Sequence, residues 1–590
     1  MQDHPRHPKA KRAKILLSSV FGPYAQNDEY GSRAINPMEL YHNQVTRFQG
    51  VFSLRMFHRS FGLMLIQNNI DAPCTLLDFP SLARFTEEIR HGDYDIVGIS
   101  AIMPNIGKAA KMCALVRQYL PGATIVVGGH VTQVEALDSR VDADHFVRGD
   151  GVAWFRNFLG QPTDAPIRHP MAFSAHGARA LGLDLKQTPK DTAAILVPSV
   201  GCPVGCNFCS TSALFGGKGR FVNFYETGDA LFAVMEELAR NLKATSFFIL
   251  DENFLLHRKR ALRLLELMET HGRSWSLYVF SSARVLRSYT IEQLVGLGIS
   301  WVWMGLEGRD SRYVKLKGVD THALVRELQS HGIRVLGSSI IGLEDHKPED
   351  MDRIIEEAVD HAADFHQFML YTPIPGTPLY EEHRAQGTLL DDAAMPPADV
   401  HGQYRFNYRH RYLPAGEEER YLHQAFVRDF ERNGPSLARL LRTQLTGWHR
   451  YRNHGNSRIR ERIRREAGSL GTTMAAAVWA MRRWYRHDRQ MHSRLDRLLK
   501  DLKRAFGIRS RLMAPVAGRL IHARMKQEQL RLDAGWTYEP PCFYEKNPAA
   551  LALQDTPRLT MKTARGKDFN AGMPQPATAA CVCVAADKHA

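Results

Sequence analysis

Three cysteines within eight residues of one another define the chemistry that this sequence can support. Cys202, Cys206 and Cys209 follow a predicted strand at 194–199, in the order C-x3-C-x2-C. Iron–sulfur clusters are held by cysteine thiolates, and three thiolates leave one iron of a 4Fe–4S cluster open to another ligand. A structural zinc site uses four protein ligands, and no fourth is evident nearby in the sequence. The spacing therefore predicts a 4Fe–4S cluster with one open coordination position.

The cysteine loop belongs to a long series of alternating predicted strands and helices. Six strands between residues 193 and 395 indicate a partial (β/α)6 barrel, and residues 14–160 indicate a separate, doubly wound parallel α/β unit. Ligands of both folds bind at the carboxyl ends of the strands. The predicted strands are 14–20, 74–79, 95–100 and 124–128 in the first unit, and 194–199, 246–250, 277–281, 301–306, 335–341 and 367–371 in the second.

Glycines and polar residues stand at these predicted strand ends. In the first unit, glycine lets a bulky ligand approach the backbone closely, and in the barrel the polar groups offer charges and hydrogen bonds. The strand ends therefore predict two binding sites, one in each unit. The candidate cofactor-binding residues are Ser100, Gly128, Gly129, Gly149 and Gly151 in the first unit, and Asp251, Glu252, Ser282, Arg284 and Glu307 in the barrel.

The cysteine motif, with an aromatic residue before its last cysteine, resembles that of the radical S-adenosylmethionine (SAM) superfamily. The resemblance implies that SAM chelates the open iron and that one electron cleaves it to a 5′-deoxyadenosyl radical. A donor such as flavodoxin or ferredoxin would supply that electron. By the same resemblance, Asp251 and Glu252 bind the methionine amine, Ser282 and Arg284 reach its carboxylate, and Glu307 contacts the ribose or the carboxylate. No catalytic acid or base is identified.

The first unit decides the branch of the superfamily. Its strand ends DIVGISAIMPN, IVVGGH and FVRGDG, together with TPIPGTPL after the sixth barrel strand, resemble the cobalamin-binding branch, the class B type methylases. This resemblance implies that one SAM methylates cobalt and that a second generates the radical on an unactivated substrate carbon. The Asp-x-His-x-x-Gly motif that supplies a histidine to cobalt is absent, since His58, His130 and His145 lack that context. A radical cyclase or oxidoreductase with a vestigial or non-methylating cobalamin domain is the alternative.

The net charge of +15 is concentrated towards the C-terminus, where residues 458–531 hold 20 Lys or Arg against 6 Asp or Glu. We predict a linker at 161–192, a basic helical domain at 396–545 and a disordered tail at 546–590. The tryptophan-bearing segment 474–486 predicts a helix at an anionic membrane surface, with a helical cap packed on the barrel as the alternative. The overall layout resembles hopanoid C-3 methylases, which implies a polycyclic lipid substrate.

Other functional classes are disfavoured by the same sequence. Methylthiotransferases of RNA need three further cysteines upstream, where only Cys74 and Cys113 lie. A nucleic-acid-binding module would leave the polar strand ends unused, so no nucleic-acid partner is expected. There is no apolar run of 18 residues and no secretory cleavage site after the basic N-terminus. We therefore expect a cytoplasmic enzyme with peripheral membrane contact, whose substrate is a small molecule or a lipid; the sequence leaves the oligomeric state open.

Overall fold

The computed structural model describes residues 6–22, 29–30, 35–36, 38–185, 188–307, 315–536 and 538–553. Its strands are β1 (Ile15–Ser19), β2 (Arg55–Phe57), β3 (Cys74–Asp78), β4 (Ile96–Ser100), β5 (Thr124–Gly128), β6 (His145–Val147), β7 (His176–Ala180), β8 (Leu183–Asp184), β9 (Ala194–Leu196), β10 (Ser199–Val200), β11 (Val222–Asn223), β12 (Ser246–Ile249), β13 (Ser276–Phe280), β14 (Ile299–Gly305), β15 (Arg334–Ile341), β16 (Phe365–Leu370) and β17 (Phe543–Lys546). Its α-helices are α1 (Phe61–Asn68), α2 (Leu82–His91), α3 (Ile106–Tyr119), α4 (Gly151–Phe158), α5 (Ser210–Leu214), α6 (Gly228–Leu242), α7 (Arg258–Thr270), α8 (Ala283–Leu286), α9 (Ile291–Gly296), α10 (Thr321–Ser330), α11 (Met351–Val359), α12 (Pro378–Ala385), α13 (Glu417–Asn433), α14 (Ser436–Tyr451), α15 (Ser457–Glu466), α16 (Ala475–Trp484), α17 (Arg489–Asp533) and α18 (Pro548–Ala552).

The first unit is built on a six-stranded sheet in the order β17-β3-β1-β4-β5-β6. Strands β3, β1, β4, β5 and β6 are parallel, in the order typical of flavodoxin-like doubly wound sheets. Every residue of β1 and β3 is buried, which explains their continuous apolar runs. The predicted doubly wound unit is confirmed. Its fifth parallel strand, β6, was not predicted as a strand, because it has only three residues.

The second unit is a six-stranded parallel sheet in the order β16-β15-β14-β13-β12-β9, which confirms the partial barrel. Aromatic side chains stack across the strands, with ring centroids 5.8 Å apart for Phe248 and Phe280 and 5.0 Å apart for Phe280 and Trp303. The chain around residues 40–54 packs against the first residues of several strands. There, Gln367 donates a hydrogen bond of 3.0 Å to Gln44, and Val45 belongs to the surrounding apolar cluster. The carboxyl ends of the same strands line a cavity.

The C-terminal helices close the opposite end of the barrel. Glu466, at the end of α15, accepts hydrogen bonds from Ser276 and Ser300, which lie at the beginnings of β13 and β14. It also forms an ion pair of 3.1 Å with Arg334. Arg458 of the same helix is buried and donates hydrogen bonds to backbone carbonyls. Part of the basic excess of this region is therefore satisfied inside the protein.

The boundaries of the linker and the tail differ from the predicted ones. The predicted linker, 161–192, contains β7 and β8, which form a small antiparallel sheet with β2. The tail predicted to be disordered from residue 546 continues the strand β17, which pairs antiparallel with β3, and then forms α18. An ion pair of 2.5 Å between Arg59 and Glu545 joins β17 to the first unit. Residues 554–590 lie outside the described residues.

Two predictions about the C-terminal region also need correction. The region is not helical from residue 396, since the backbone of Leu370 bonds to that of Gly402 and α13 begins only at Glu417. The prediction that 474–486 lies at a membrane surface is wrong: six of the ten residues of α16 are buried in the core. The alternative, a packed helical cap, is the arrangement observed. Within the part of the chain that the structure describes, no helix is long and apolar enough to cross a bilayer.

Candidate functional site

The cysteine loop lies between β10 and α5, at the carboxyl end of the first barrel strand. Gly205 has a φ of +67°, and a Cβ atom there would lie 2.6 Å from the Cα atom of Lys218, so only glycine allows this tight loop. The Sγ atom of Cys209 accepts a hydrogen bond of 3.4 Å from the backbone of Ser212 and so caps α5. All three cysteines line one cavity of about 370 Å³.

The donor set fits an iron–sulfur cluster better than a single metal ion. Among the described residues, no three His, Cys, Asp or Glu side chains are grouped so that they could hold one metal ion. A 4Fe–4S cluster binds each thiolate at a different iron, so its ligands do not need to converge on one point. Burial raises the pKa of the Cys202 thiol to about 11 and also raises those of Cys206 and Cys209. Cluster binding must therefore displace protons from these thiols.

Four of the polar residues from the other strand ends line the same cavity: Glu252, Asn253, Ser282 and Glu307. Glu252 is accessible from the cavity, yet the surrounding protein and the neighbouring Asp251 raise its pKa to about 7. Asn253 accepts a hydrogen bond of 3.3 Å from the backbone of Ser282. The Oε2 atom of Glu307 is buried and makes no hydrogen bond within the described structure. These groups fit the ammonium, carboxylate and hydroxyl groups that SAM presents.

Two predicted SAM-binding residues do not line the cavity. Asp251 is buried in an ion pair of 2.5 Å with Arg260 and accepts a hydrogen bond from the backbone of Asn253. Its carboxylate therefore holds the loop that presents Asn253 to the cavity. Arg284, in the first turn of α8, is exposed on the surface. We predicted that both residues contact SAM directly. This geometry does not favour those contacts, and they stay predictions.

The cavity also contains residues that sequence reasoning missed. Lys315, eight residues after Glu307, forms an ion pair with it. Lys315 belongs to no periodic pattern in the sequence, so nothing there predicted it as a site residue. His401 and Gly402 come from the segment that was assigned to the helical region, so the sequence offered no reason to place them here. The rest of the wall combines hydroxyl side chains, such as Ser338 and Thr372, with apolar and aromatic ones, which include Phe280, Trp303, Met304, Ile340, Met369 and Tyr371.

A second cavity, of about 190 Å³, lies at the carboxyl ends of the first sheet. All five residues predicted there, Ser100, Gly128, Gly129, Gly149 and Gly151, line it. At Gly129, with a φ of +88°, an added Cβ atom would lie 2.5 Å from a backbone carbonyl oxygen. The opposite wall comes from the barrel unit. Glycine backbone on one side and apolar side chains on the other fit a flat and bulky ligand such as a corrin.

No histidine is found among the described residues that line this second cavity. His58 is half-buried elsewhere, with its ring 5.9 Å from that of Phe248. His145 packs on Trp154, with ring centroids 5.4 Å apart. His130 follows Gly129 in the chain but is not part of the lining. This arrangement agrees with the absence of a cobalt-binding histidine motif from the sequence.

The two cavities lie on either side of the short helix α5. Cys209 and Ser210, at its beginning, line the first cavity, and Leu214, at its end, lines the second. Gln133 of the first unit donates a hydrogen bond of 3.3 Å to the backbone of Ser210. An added Cβ atom at Gly376, in the loop after the sixth barrel strand, would lie 2.7 Å from Gln133. The two units are therefore in direct contact beside the cysteine loop.

Comparison with known families identifies the class that this fold and site define. The B12 binding domain family matches residues 53–159, and the Radical SAM superfamily matches residues 196–358. The chain therefore contains a B12-binding domain and a radical SAM domain, and it is homologous to cobalamin-dependent radical SAM methylases. These matches confirm the predicted class and its cofactors, a 4Fe–4S cluster, SAM and cobalamin. Enzymes of this class also need a reductant.

Curated relatives agree with this assignment. An uncharacterized methyltransferase of Pyrococcus horikoshii, PH0819, is 27% identical over 54% of this chain and 75% of its own length. The bacteriochlorophyllide d C-12(1)-methyltransferase of Chlorobaculum tepidum is 28% identical over 49% of this chain and 66% of its own length. A solved structure of the radical SAM methyltransferase TsrM from Kitasatospora setae aligns with a TM-score of 0.47 at 15% identity, covering 78% of this chain and all of that one.

Two further relatives represent different chemical outcomes. The hopanoid C-2 methylase of Rhodopseudomonas palustris is 25% identical over 33% of this chain and 38% of its own length. The anaerobic magnesium-protoporphyrin IX monomethyl ester cyclase of Cereibacter sphaeroides is 25% identical over 54% of this chain and 57% of its own length. The similarity is thus shared by methylases and cyclases.

Proposed function

We propose that this protein methylates an unactivated carbon of a polycyclic lipid, with C-3 of a hopanoid as the specific candidate. The observation that carries the proposal is the pair of cavities separated by α5. One holds the three cysteines and the other is a glycine-lined cradle. When bound, the cluster would supply an electron for SAM cleavage and cobalamin would carry the methyl group. A radical route is needed only for carbons that cannot act as nucleophiles.

The residues of the chain bind and orient the reactants. We assign the three cysteines to the cluster, and Glu252, Ser282 and Glu307 to SAM; the Oε2 atom of Glu307 makes no hydrogen bond with any described residue, so it is available to a ligand. Lys315, which is paired with Glu307, would balance the charge of a bound carboxylate. The backbone at Ser100, Gly128, Gly129, Gly149 and Gly151 would support cobalamin.

The apolar wall of the first cavity favours a lipid as substrate. Phe280, Trp303 and Met369 line the cavity that also contains the cysteines, and more of its exposed surface is apolar than polar. A polycyclic hydrocarbon would displace water from this wall, which stabilises binding and keeps water away from a radical. The hopanoid C-2 methylase among the relatives supports this class of substrate. The enzyme is further proposed to work in the cytoplasm at the membrane, with flavodoxin or ferredoxin as electron donor.

The test combines a gene deletion with an isotope label. The source organism lacking this gene is complemented with the wild-type gene or with Cys206→Ala, and fed methionine that carries a deuterated methyl group. We expect the wild type, but not the variant, to restore a methylated hopanoid that contains the label. If methylated hopanoids persist in the deletion strain, the hopanoid assignment is wrong.

A cyclase or oxidoreductase is the second candidate, supported by the cyclase among the relatives. It predicts a product that depends on the cysteines but contains no deuterium from the methyl group. The same lipid and pigment extracts, examined by mass spectrometry for any compound lost on deletion, distinguish the two reactions.

A further inference from the structure

Helix α17 carries an apolar stripe that faces away from the protein. Ile508, Leu512, Val516 and Leu520 are spaced four residues apart and are 75%, 64%, 66% and 62% exposed. Residues at this spacing lie on one face of a helix, and the stripe extends about 18 Å along the axis. Met513, next to it, is also exposed. Soluble surfaces rarely leave so regular an apolar row facing water.

The stripe is not the face by which α17 packs on the protein. That face is formed by small and apolar residues such as Ala514, Ile521 and Met525, which are all buried. At Gly518, an added Cβ atom would lie 2.6 Å from the ring of Trp479, so this face is in close contact with α16. A surface helix normally has polar residues opposite its buried face. Here the opposite face is apolar, which indicates a partner.

Arginines border the stripe on both sides. Arg509, Arg511 and Arg519 are exposed, and none of them forms an ion pair with another described residue. The buried Arg458 of α15, by contrast, donates hydrogen bonds to backbone carbonyls within the fold. An apolar centre flanked by cations is the pattern of a helix that lies in the interface of an anionic bilayer.

We propose that the stripe at 508–520 docks the enzyme on an anionic lipid bilayer. The four apolar side chains would enter the boundary between headgroups and acyl chains, while the three arginines would contact lipid phosphates. A second copy of this chain fits less well, because a symmetric contact would bring the same arginines of two copies together. The inference rests on the proposed lipid function for the choice of a membrane, and it replaces segment 474–486 as the docking element.

The experiment measures co-flotation of the full-length protein with vesicles. Vesicles of phosphatidylcholine alone are compared with vesicles that also contain phosphatidylglycerol, at low and high salt. We expect binding to the anionic vesicles at low salt and a loss of at least about tenfold in Val516→Glu, because a charge in the interface opposes insertion. Leu551→Glu, a change at an exposed leucine of α18, is the matched control and should bind like the wild type.

A second variant keeps the test independent of the apolar change. Replacing Arg509 and Arg519 by glutamine should weaken binding at low salt and flatten its salt dependence. The cluster absorbance and unfolding temperature of every variant should match those of the wild type, since all these positions are exposed. Equal vesicle binding by Val516→Glu and the wild type would overturn the proposal, as would failure of the wild type to bind.

Self-association is measured on the same samples by sedimentation. If the wild type is a dimer that Val516→Glu dissociates, and neither binds vesicles, the stripe is an interface between copies and the membrane proposal is wrong. The proposed function fails by a different readout, the absence of label from the lipid. An enzyme that methylates a lipid but ignores vesicles would therefore refute only the docking surface.

Discussion

Adding a side chain at Gly128, which lines the second cavity, provides a direct test of cobalamin binding. Gly128 ends β5, and the nearest atom to an added Cβ there is the carbonyl oxygen of Val147, at 3.8 Å. This is an ordinary van der Waals distance, so a side chain can be added without backbone strain. Leucine at this position would place four carbon atoms at the edge of a cavity of about 190 Å³. We expect Gly128→Leu to fold and to retain its cluster.

The cost to cobalamin binding follows from overpacking. Forcing extra carbon atoms into a filled site typically costs about 1–3 kcal/mol. That range corresponds to an increase of roughly 5- to 150-fold in the Kd for cobalamin. The assay is equilibrium binding of cobalamin to anaerobically reconstituted protein, with iron content and the absorbance of the cluster measured on the same sample. A fall in cobalamin affinity without loss of iron would show that the substitution affects the second cavity and not the cluster.

The matched control is Gly122→Leu. Gly122 precedes β5 in the same unit, is exposed, and has no atom within 4 Å of an added Cβ. The control should bind cobalamin with wild-type affinity. If Gly128→Leu also binds with wild-type affinity, the glycine-lined cavity is not the cobalamin site, and if both variants are equally impaired, the effect is not steric.

Three other predictions concern the cluster and the stability of the fold. Alanine at any one of the three cluster cysteines should abolish the iron–sulfur absorbance and SAM cleavage, whereas Cys113→Ala should leave both intact; a variant with a full cluster would contradict the ligand assignment. Burial lowers the pKa of His58 to about 4. Because the unfolded value is about 6.5, the neutral side chain stabilises the fold above that pH, and about 3 kcal/mol is lost as the pH falls to 4. His58→Phe should reduce the acid sensitivity of the unfolding temperature, and an unchanged pH profile would refute the reasoning. Arg439, 2% exposed, donates hydrogen bonds of 3.0 and 2.8 Å to Asp429. Arg439→Met should cost about 3–5 kcal/mol of unfolding free energy, against about 0–1 kcal/mol for the exposed Arg420→Met; equal denaturation midpoints for the two variants would show that the buried pair contributes nothing.

Local features of the sequence were sufficient to predict the site at the level of its class. The spacing of Cys202, Cys206 and Cys209 brings three thiols together within one loop, whatever the rest of the chain does. Continuous apolar runs predicted the parallel strands, and the carboxyl ends of such strands meet at one edge of the sheet. Strands β3, β4 and β5 were predicted to within one residue of their observed limits, because each is a short apolar run.

Which residue of a strand end faces a cavity was decided only by tertiary packing. Asp251 and Glu252 are neighbours, yet one is buried against Arg260 while the other is open to the first cavity. Arg284 is exposed, although Ala283 and Leu286 of the same short helix are buried. His401 reaches the cavity through a backbone contact that joins residues 370 and 402.

Tertiary packing also decided which C-terminal helix is exposed. Composition led to the prediction that segment 474–486 lies at a membrane surface, but α16 is buried. Both α16 and residues 508–520 of α17 combine apolar side chains with arginines, so their composition does not show which one is buried. The alanines of α16 allow close approach to α17, and that packing leaves the stripe of Ile508, Leu512, Val516 and Leu520 outside. The cluster loop and the two α/β units could be predicted from the sequence, because they depend on local spacing and period. Which side chains face each cavity, and which apolar face is left for a partner, depends on contacts between distant segments, which local sequence patterns do not encode.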